Sequence, residues 1–232
     1  MSSTYRLVPA KERAASSDAD AVGQALAESR AWIGPFIVFL AGLNFKVVPS
    51  MTRGATAFEL ATGRDPAARR ITEALDGVYR EVRDGYNAAH VHGEMLERYV
   101  YHALGKAFPL RIAACSLERD DEPVSDFRLD AATNSECPAI AIEAKNSEQA
   151  LIGRRANRHK HAAKAEWVIR LFDETEENVL AVFATWAPEA RFRKALASLV
   201  GDDQAKAAHV YGHEQVAQLP SRIGALVKRL GG

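Results

Sequence analysis

The sequence predicts an α/β fold, a mixed sheet flanked by helices, preceded by a mostly helical N-terminal extension. Two observations lead there. Between residues 93 and 200 the apolar period switches repeatedly between the helical 3.6 and the strand value of two: helix 93–107, strands 110–117, 126–133 and 139–145, helix 147–171, strand 178–186, helix 188–200. Before residue 91 the only clear recurrence is helical. The chain therefore divides into a helical subdomain, 1–90, and an α/β core, 91–232.

The elements follow in order. Residues 1–20 include Lys11-Glu12-Arg13 and Ser16-Ser17-Asp18, a polar lead expected to fray before a helix over about 19–31. Residues 34–48 are apolar enough for a buried strand or for a helix begun by Pro35, and periodicity does not arbitrate. Residues 50–54 read as a loop. Asp65-Pro66 is a helix start, an acid at the N-cap and proline in the first turn, and Ile71, Leu75, Val78 and Val82 carry that helix to about Tyr86. Leu96, Val100, Ala103 and Leu104 then recur at helical spacing, with Glu97 bordering their apolar face.

The segment 126–145 holds most of the chemistry. In Pro138–Lys145 the period of two sends Ile140, Ile142 and Ala144 to one face and Glu143 and Lys145 to the other. In 126–133, Phe127, Leu129 and Ala131 oppose Asp126, Arg128 and Asp130, and Asn134–Pro138 supplies a turn. Pairing about that turn puts Asp126 beside Glu143 and Lys145 at the open end and Asp130 nearer the turn. Two carboxylates can hold a hard divalent cation with positions left for water and a phosphate oxygen. The Lys145 ammonium can orient an attacking water or offset charge growing on phosphorus. Glu97 is the candidate third acid. Asp130 competes with Asp126, whose place at the strand start favours it. The plainer reading makes Glu143, Lys145 and Arg128 a charge set on a solvated sheet face.

With these residues in hand, the chain resembles the PD-(D/E)XK nuclease superfamily. Gly93 and Glu97 match its leading helix, Ser125-Asp126 stands where the family has Pro-Asp, and Glu143-Ala144-Lys145 matches E-x-K. The resemblance covers roughly 93–200 and implies a restriction-endonuclease-like αβββαβ core. It implies Mg2+, with Mn2+ as a substitute, held by Asp126, Glu143, the Ala144 carbonyl and Glu97, and Lys145 as a catalytic group. It implies an endonuclease acting on double-stranded DNA in a prokaryotic restriction or defence setting. Cutting both strands with one small domain implies a homodimer, since two-fold symmetry gives each strand a site. The rival readings are a non-catalytic nucleic-acid-binding protein on this fold and an RNA- or structure-specific nuclease.

Composition bounds the rest. Lys plus Arg and Asp plus Glu each number 30, so the chain is neutral and not built to coat nucleic acid indiscriminately. The strongest basic run is 154–164, where Arg154, Arg158 and Lys160 are candidate phosphate contacts; alternatively it is a solvated helix face offset by Glu166 and Asp173. Arg64, Arg69 and Arg70 form the fallback. His90/His92 and His159/His161 lack partners at zinc-site spacing. Tyr99, Tyr101, Trp32, Trp167 and Trp186 read as core packing. Cys115 and Cys137 read as a buried thiol and a turn residue, not a disulfide framework. No Walker loop or G-x-S-x-G elbow is present. The apolar run 31–43 contains Pro35 and is too short to span a bilayer, and the first 30 residues lack a leader's apolar core, so a cytoplasmic protein with no membrane partner is expected.

Overall fold

A computed structural model describes residues 6–9, 17–42, 65–83, 88–109, 112–119, 122–123, 126–130, 139–153, 158–159, 161–162, 165 and 180–229. The chain is a mixed helix-and-strand protein in two compact units, Glu12–Ala103 and, together, Met1–Lys11 with Leu104–Gly232. Among the described residues no helix is long and apolar enough to cross a membrane.

The helical unit contains α1 (Ser17–Glu28), a 3-10 turn (Arg30–Trp32), α2 (Ile33–Gly42), α3 (Pro66–Arg83) and most of α4 (Ala88–Ala107). The ambiguity over 34–48 is resolved as helix for its first part, with Pro35 in the opening turn, where a missing N–H costs nothing. Asp65 caps α3, its Oδ1 accepting from the Ala67 and Ala68 amides at 2.7 and 3.3 Å. α1 packs on α3, and Val22 and Leu26, like Ile71, Leu75 and Val78, are fully or almost fully buried. Asp20 on α1 ties to α4, accepting from His102 Nε2 at 2.9 Å and lying 3.6 Å from Arg98 Nε.

Within α4, His92 is 3% exposed, and burial pushes its pKa from 6.5 down to about 4. Between those two values the unfolded chain binds the proton and the folded chain does not, so stability falls as pH drops through that window. The His92 contribution lost by pH 4 is roughly 3 kcal/mol. Chemical denaturation at pH 7 and pH 4.5 should show the decline, and His92→Leu should make it shallower. An equally steep decline in the variant would assign the pH response to other groups.

The second unit is built on a sheet whose described strands number seven: β1 (Arg6–Pro9), β2 (Ile112–Arg119), β3 (Glu122–Pro123), β4 (Phe127–Asp130), β5 (Ala139–Lys145), β6 (Leu180–Thr185) and β7 (His209–Tyr211). Their order is β1-β2-β4-β5-β6-β7, with β3 also paired to β2. Pairing is antiparallel from β1 to β5 and parallel across β5, β6 and β7. β1 corrects the expectation that residues before 20 only fray: Leu7 and Val8 pair with Leu117 and Ser116. Four residues carry too short an alternation to register as a strand in sequence.

The helix expected over 147–171 is not continuous. α5 (Glu148–Ile152) starts on the Ser147 cap, whose Oγ accepts from the Ala150 amide at 3.1 Å, and stops at Gly153. Gly153 has φ 68°, and a Cβ there would stand 2.3 Å from the His161 ring, so only glycine suits both backbone and neighbour. Helical residues resume at 158–159, 161–162 and 165. After β6 come α6 (Glu189–Val200), α7 (Asp202–Ala207), β7, α8 (His213–Val216) and α9 (Leu219–Arg229); everything past 200 went unpredicted.

Both faces of β5 are buried. Ile140 and Ile142 fill one side, and Ala141 on the other joins Phe183, Val210, Phe192 and Leu196 in a core beneath α6. Glu143, two residues on from Ala141, points to that second side and is 2% exposed. The solvated-face reading of Glu143 is therefore wrong: its side of the strand is the one on which Ala141 packs with Phe183, Phe192 and Leu196.

Gly212 holds the join between β7 and α8 against the start of α6. A Cβ on it would lie 2.4 Å from the Glu189 amide nitrogen and 2.9 Å from the Ala187 carbonyl, both backbone atoms that cannot swing aside. Gly212→Ala is expected to cost about 2–3 kcal/mol by forcing that backbone apart. An unchanged denaturation midpoint would show that the segment relaxes freely.

Candidate active site

The β4–β5 register sets Phe127 opposite Ile142 and Asp130 opposite Ala139. Asp126, one residue before β4, therefore falls at the open end beside Glu143, while Asp130 lies toward the turn; residues 131–138 are outside the described set. The Asp126 amide donates to the Ile142 carbonyl at 3.1 Å. Its carboxylate then accepts from the Ala144 amide at 2.8 Å. The side chain is thus fixed against β5 at a definite height, level with Glu143 and Lys145.

Lys145 Nζ forms an ion pair with Glu143 Oε1 and also donates to the Ala144 carbonyl at 3.4 Å. The lysine side chain is 17% exposed and the glutamate 2%, so the lysine is the partly exposed member of the pair. Burying a carboxylate this deeply requires a compensating cation. Across the parallel pairing Lys145 stands opposite Thr185, a fully buried residue whose Oγ1 accepts from the Ala187 amide at 3.1 Å and closes the turn after β6.

The cluster lies where parallel strands β5 and β6 end, and α5 and α6 begin just beyond. In open α/β sheets the crevice outside the carboxyl ends of such strands is where ligands bind. Two residues missed by the sequence reading tie the mouth together: Arg191 in the first turn of α6 pairs with Glu148 in the first turn of α5. Beside them Glu189 accepts from Arg193 Nε and Gln215 Nε2, both at 2.6 Å. Partial burial pushes the Glu189 carboxyl up, but those hydrogen bonds and the charges of Arg193 and Arg222 outweigh it and hold the group below its ordinary value. The dipeptide Pro188-Glu189 after an apolar strand was the signal for this second helix start.

Glu97 is half-buried on α4, in the helical unit. Among the described residues no group of three or more His, Cys, Asp or Glu is gathered as a metal site. What the hairpin provides is two carboxylates and a backbone carbonyl, an all-oxygen set of the kind that holds Mg2+ through one or two carboxylates with water and phosphate completing the shell. Arg158 donates to the Ser198 carbonyl at 3.3 Å, in the last turn of α6, a helix-capping contact. Arg154 and Lys160 lie outside the described residues, as do Arg64 and Cys137. Arg70 pairs with Glu28 at 2.8 Å.

No family model matches this chain, and no curated protein matches it in sequence.

Proposed function

We propose that the chain is a metal-dependent endonuclease of restriction-endonuclease-like fold that hydrolyses phosphodiester bonds of double-stranded DNA, in a prokaryotic restriction or defence role in the cytoplasm. The observation that carries the reading is the convergence of Asp126, Glu143 and Lys145 at the carboxyl ends of β5 and β6. Nothing in the packing demands an ion pair there: a buried pair is often no more stabilising than apolar residues of its volume, so its presence favours a chemical use.

Asp126, Glu143 and the Ala144 carbonyl are the residues that would hold Mg2+ or Mn2+, and the bound cation would supply Lewis-acid polarisation of a phosphate oxygen. The chain's own groups do the remainder. Lys145, held by Glu143 and the Ala144 carbonyl, is the group that orients a water and offsets negative charge on the phosphoryl group in the transition state. Asp126 keeps the end of β5 in place through the Ala144 amide. Glu143 is 2% exposed, so water is kept from the inner side of the pair, which strengthens its interaction with Lys145. Cleavage of both strands by one site per chain calls for a homodimer.

The test is incubation with plasmid DNA, with and without Mg2+, and sequencing of the product ends. Mg2+-dependent scission with defined ends is expected, and Ca2+ should support binding without efficient cutting because its looser coordination sphere positions water poorly. Full activity after exhaustive chelation with EDTA would end the metal reading. Intact plasmid beside cleaved RNA would move the substrate to the RNA alternative.

A further inference from the structure

A nuclease needs a surface that carries the duplex. The basic run expected to do this has Arg158 engaged at the end of α6, so the described cations elsewhere in the unit become the place to look. On α9, Leu219, Pro220, Ile223, Leu226 and Val227 are buried, and Ser221, Arg222, Ala225, Lys228 and Arg229 are exposed. Helical spacing sets Arg222, Ala225 and Arg229 in one stripe with Ser221 and Lys228 alongside. The helix contains no acid, and the two small residues leave no bulk between the cations.

The charges of α9 are also felt at β7. Arg193 Nη1 donates to the Ala208 carbonyl, just before the strand, at 3.3 Å. Partial burial first, then the charges of Arg229 and Arg193, hold the His209 imidazole below its ordinary value. Burial pushes the Tyr211 hydroxyl up, and the charges of Arg229, Arg222 and Arg193 act against that while Glu189 adds to it. Of the acids nearby, Glu189 is engaged by Arg193 and Gln215, and Glu214 lies 3.4 Å from His213 Nδ1. Arg222 itself makes an exposed contact along the helix, to Gln218 Oε1 at 3.2 Å. In a chain whose charges sum to zero, this sets three cations on the exposed side of one acid-free helix, with Glu189 an acid whose charge reaches Arg222.

We propose that the solvent face of α9, with Arg222, Lys228 and Arg229, and Arg193 at its margin, is a docking surface for the phosphate backbone of double-stranded DNA. Such contacts hold and orient the duplex and read no sequence. The choice of DNA as occupant rests on the hydrolytic reading of the hairpin. The cationic surface does not.

The experiment is fluorescence anisotropy of a labelled 20-base-pair duplex titrated with the full chain in Ca2+, over a range of NaCl concentrations. Arg222→Gln/Arg229→Gln should weaken binding about tenfold and flatten the slope of log affinity against log salt by about two units. Lys206→Gln, an exposed lysine paired with Asp203, should change neither. Ala225→Glu, which removes no contact and sets an acid within the stripe, should weaken binding as well, so the outcome does not depend on one variant's folding. Wild-type affinity and slope in both stripe variants would overturn the proposal, as would tight binding to phosphatidylserine vesicles with none to the duplex. Stripe-dependent binding by a chain that never cuts would sink the hydrolytic reading alone. Lys145-dependent cutting with stripe-independent binding would sink this surface alone.

Discussion

Lys145→Met is expected to abolish cleavage and to destabilise the fold in the same variant. The two effects have different causes. Loss of the ammonium removes a group that orients water and meets transition-state charge, a contribution of about 3–4 kcal/mol, or 10²–10³ in rate. It also leaves Glu143, 2% exposed, as a carboxylate without its Lys145 ion-pair partner, which costs about 3–5 kcal/mol. The double variant Glu143→Gln/Lys145→Met separates them. Removing both charges should return the denaturation midpoint close to that of the parent chain, because the desolvation cost vanishes with the pair, while single-turnover cleavage stays lost. A double variant that cuts at the parent rate would reduce the pair to a structural feature.

Asp126→Ala should be nearly as damaging, and Asp126→Asn shows why. The alanine variant loses both the charge and the acceptor for the Ala144 amide, and an unpaired buried N–H costs about 1–3 kcal/mol. Asparagine retains an acceptor oxygen for that amide but not a charge that can bind a cation. It should keep the stability of β5 and lose cleavage by at least 10²-fold, by the same electrostatic argument. Asp130→Ala, at the turn end of β4 opposite Ala139, should cut normally. If Asp130→Ala is inactive and Asp126→Asn is not, the metal-binding acid sits four residues further along the strand.

The hairpin was legible because its information is local. Alternation in 126–133 and 139–145, with turn residues between, sets the register, and the register alone puts Asp126 beside Glu143 and Asp130 away from it. The Asp65 cap and the Ile71, Leu75, Val78 stripe were legible for the same reason. Gly153 was present in the sequence but was overridden by the helical pattern on either side, and only its left-handed backbone against the His161 ring ends α5.

Local residue patterns thus account for most of the elements between residues 65 and 200, the Asp65 cap and the grouping of two acids and a lysine on one side of a hairpin. What that side faces is settled by the assembled fold. Glu143 is buried in a sheet where β5 pairs with β6, from some forty residues further along the chain, and no period within β5 can report such a neighbour. The same holds for β1, whose four residues form a strand only because the edge of β2 pairs with them. It holds also for the exposed basic stripe of α9, which exists as a surface only once Ile223, Leu226 and Val227 have been taken into the core. Short elements have little intrinsic preference of their own, so burial against distant parts of the chain contributes more to their free energy than local propensity does.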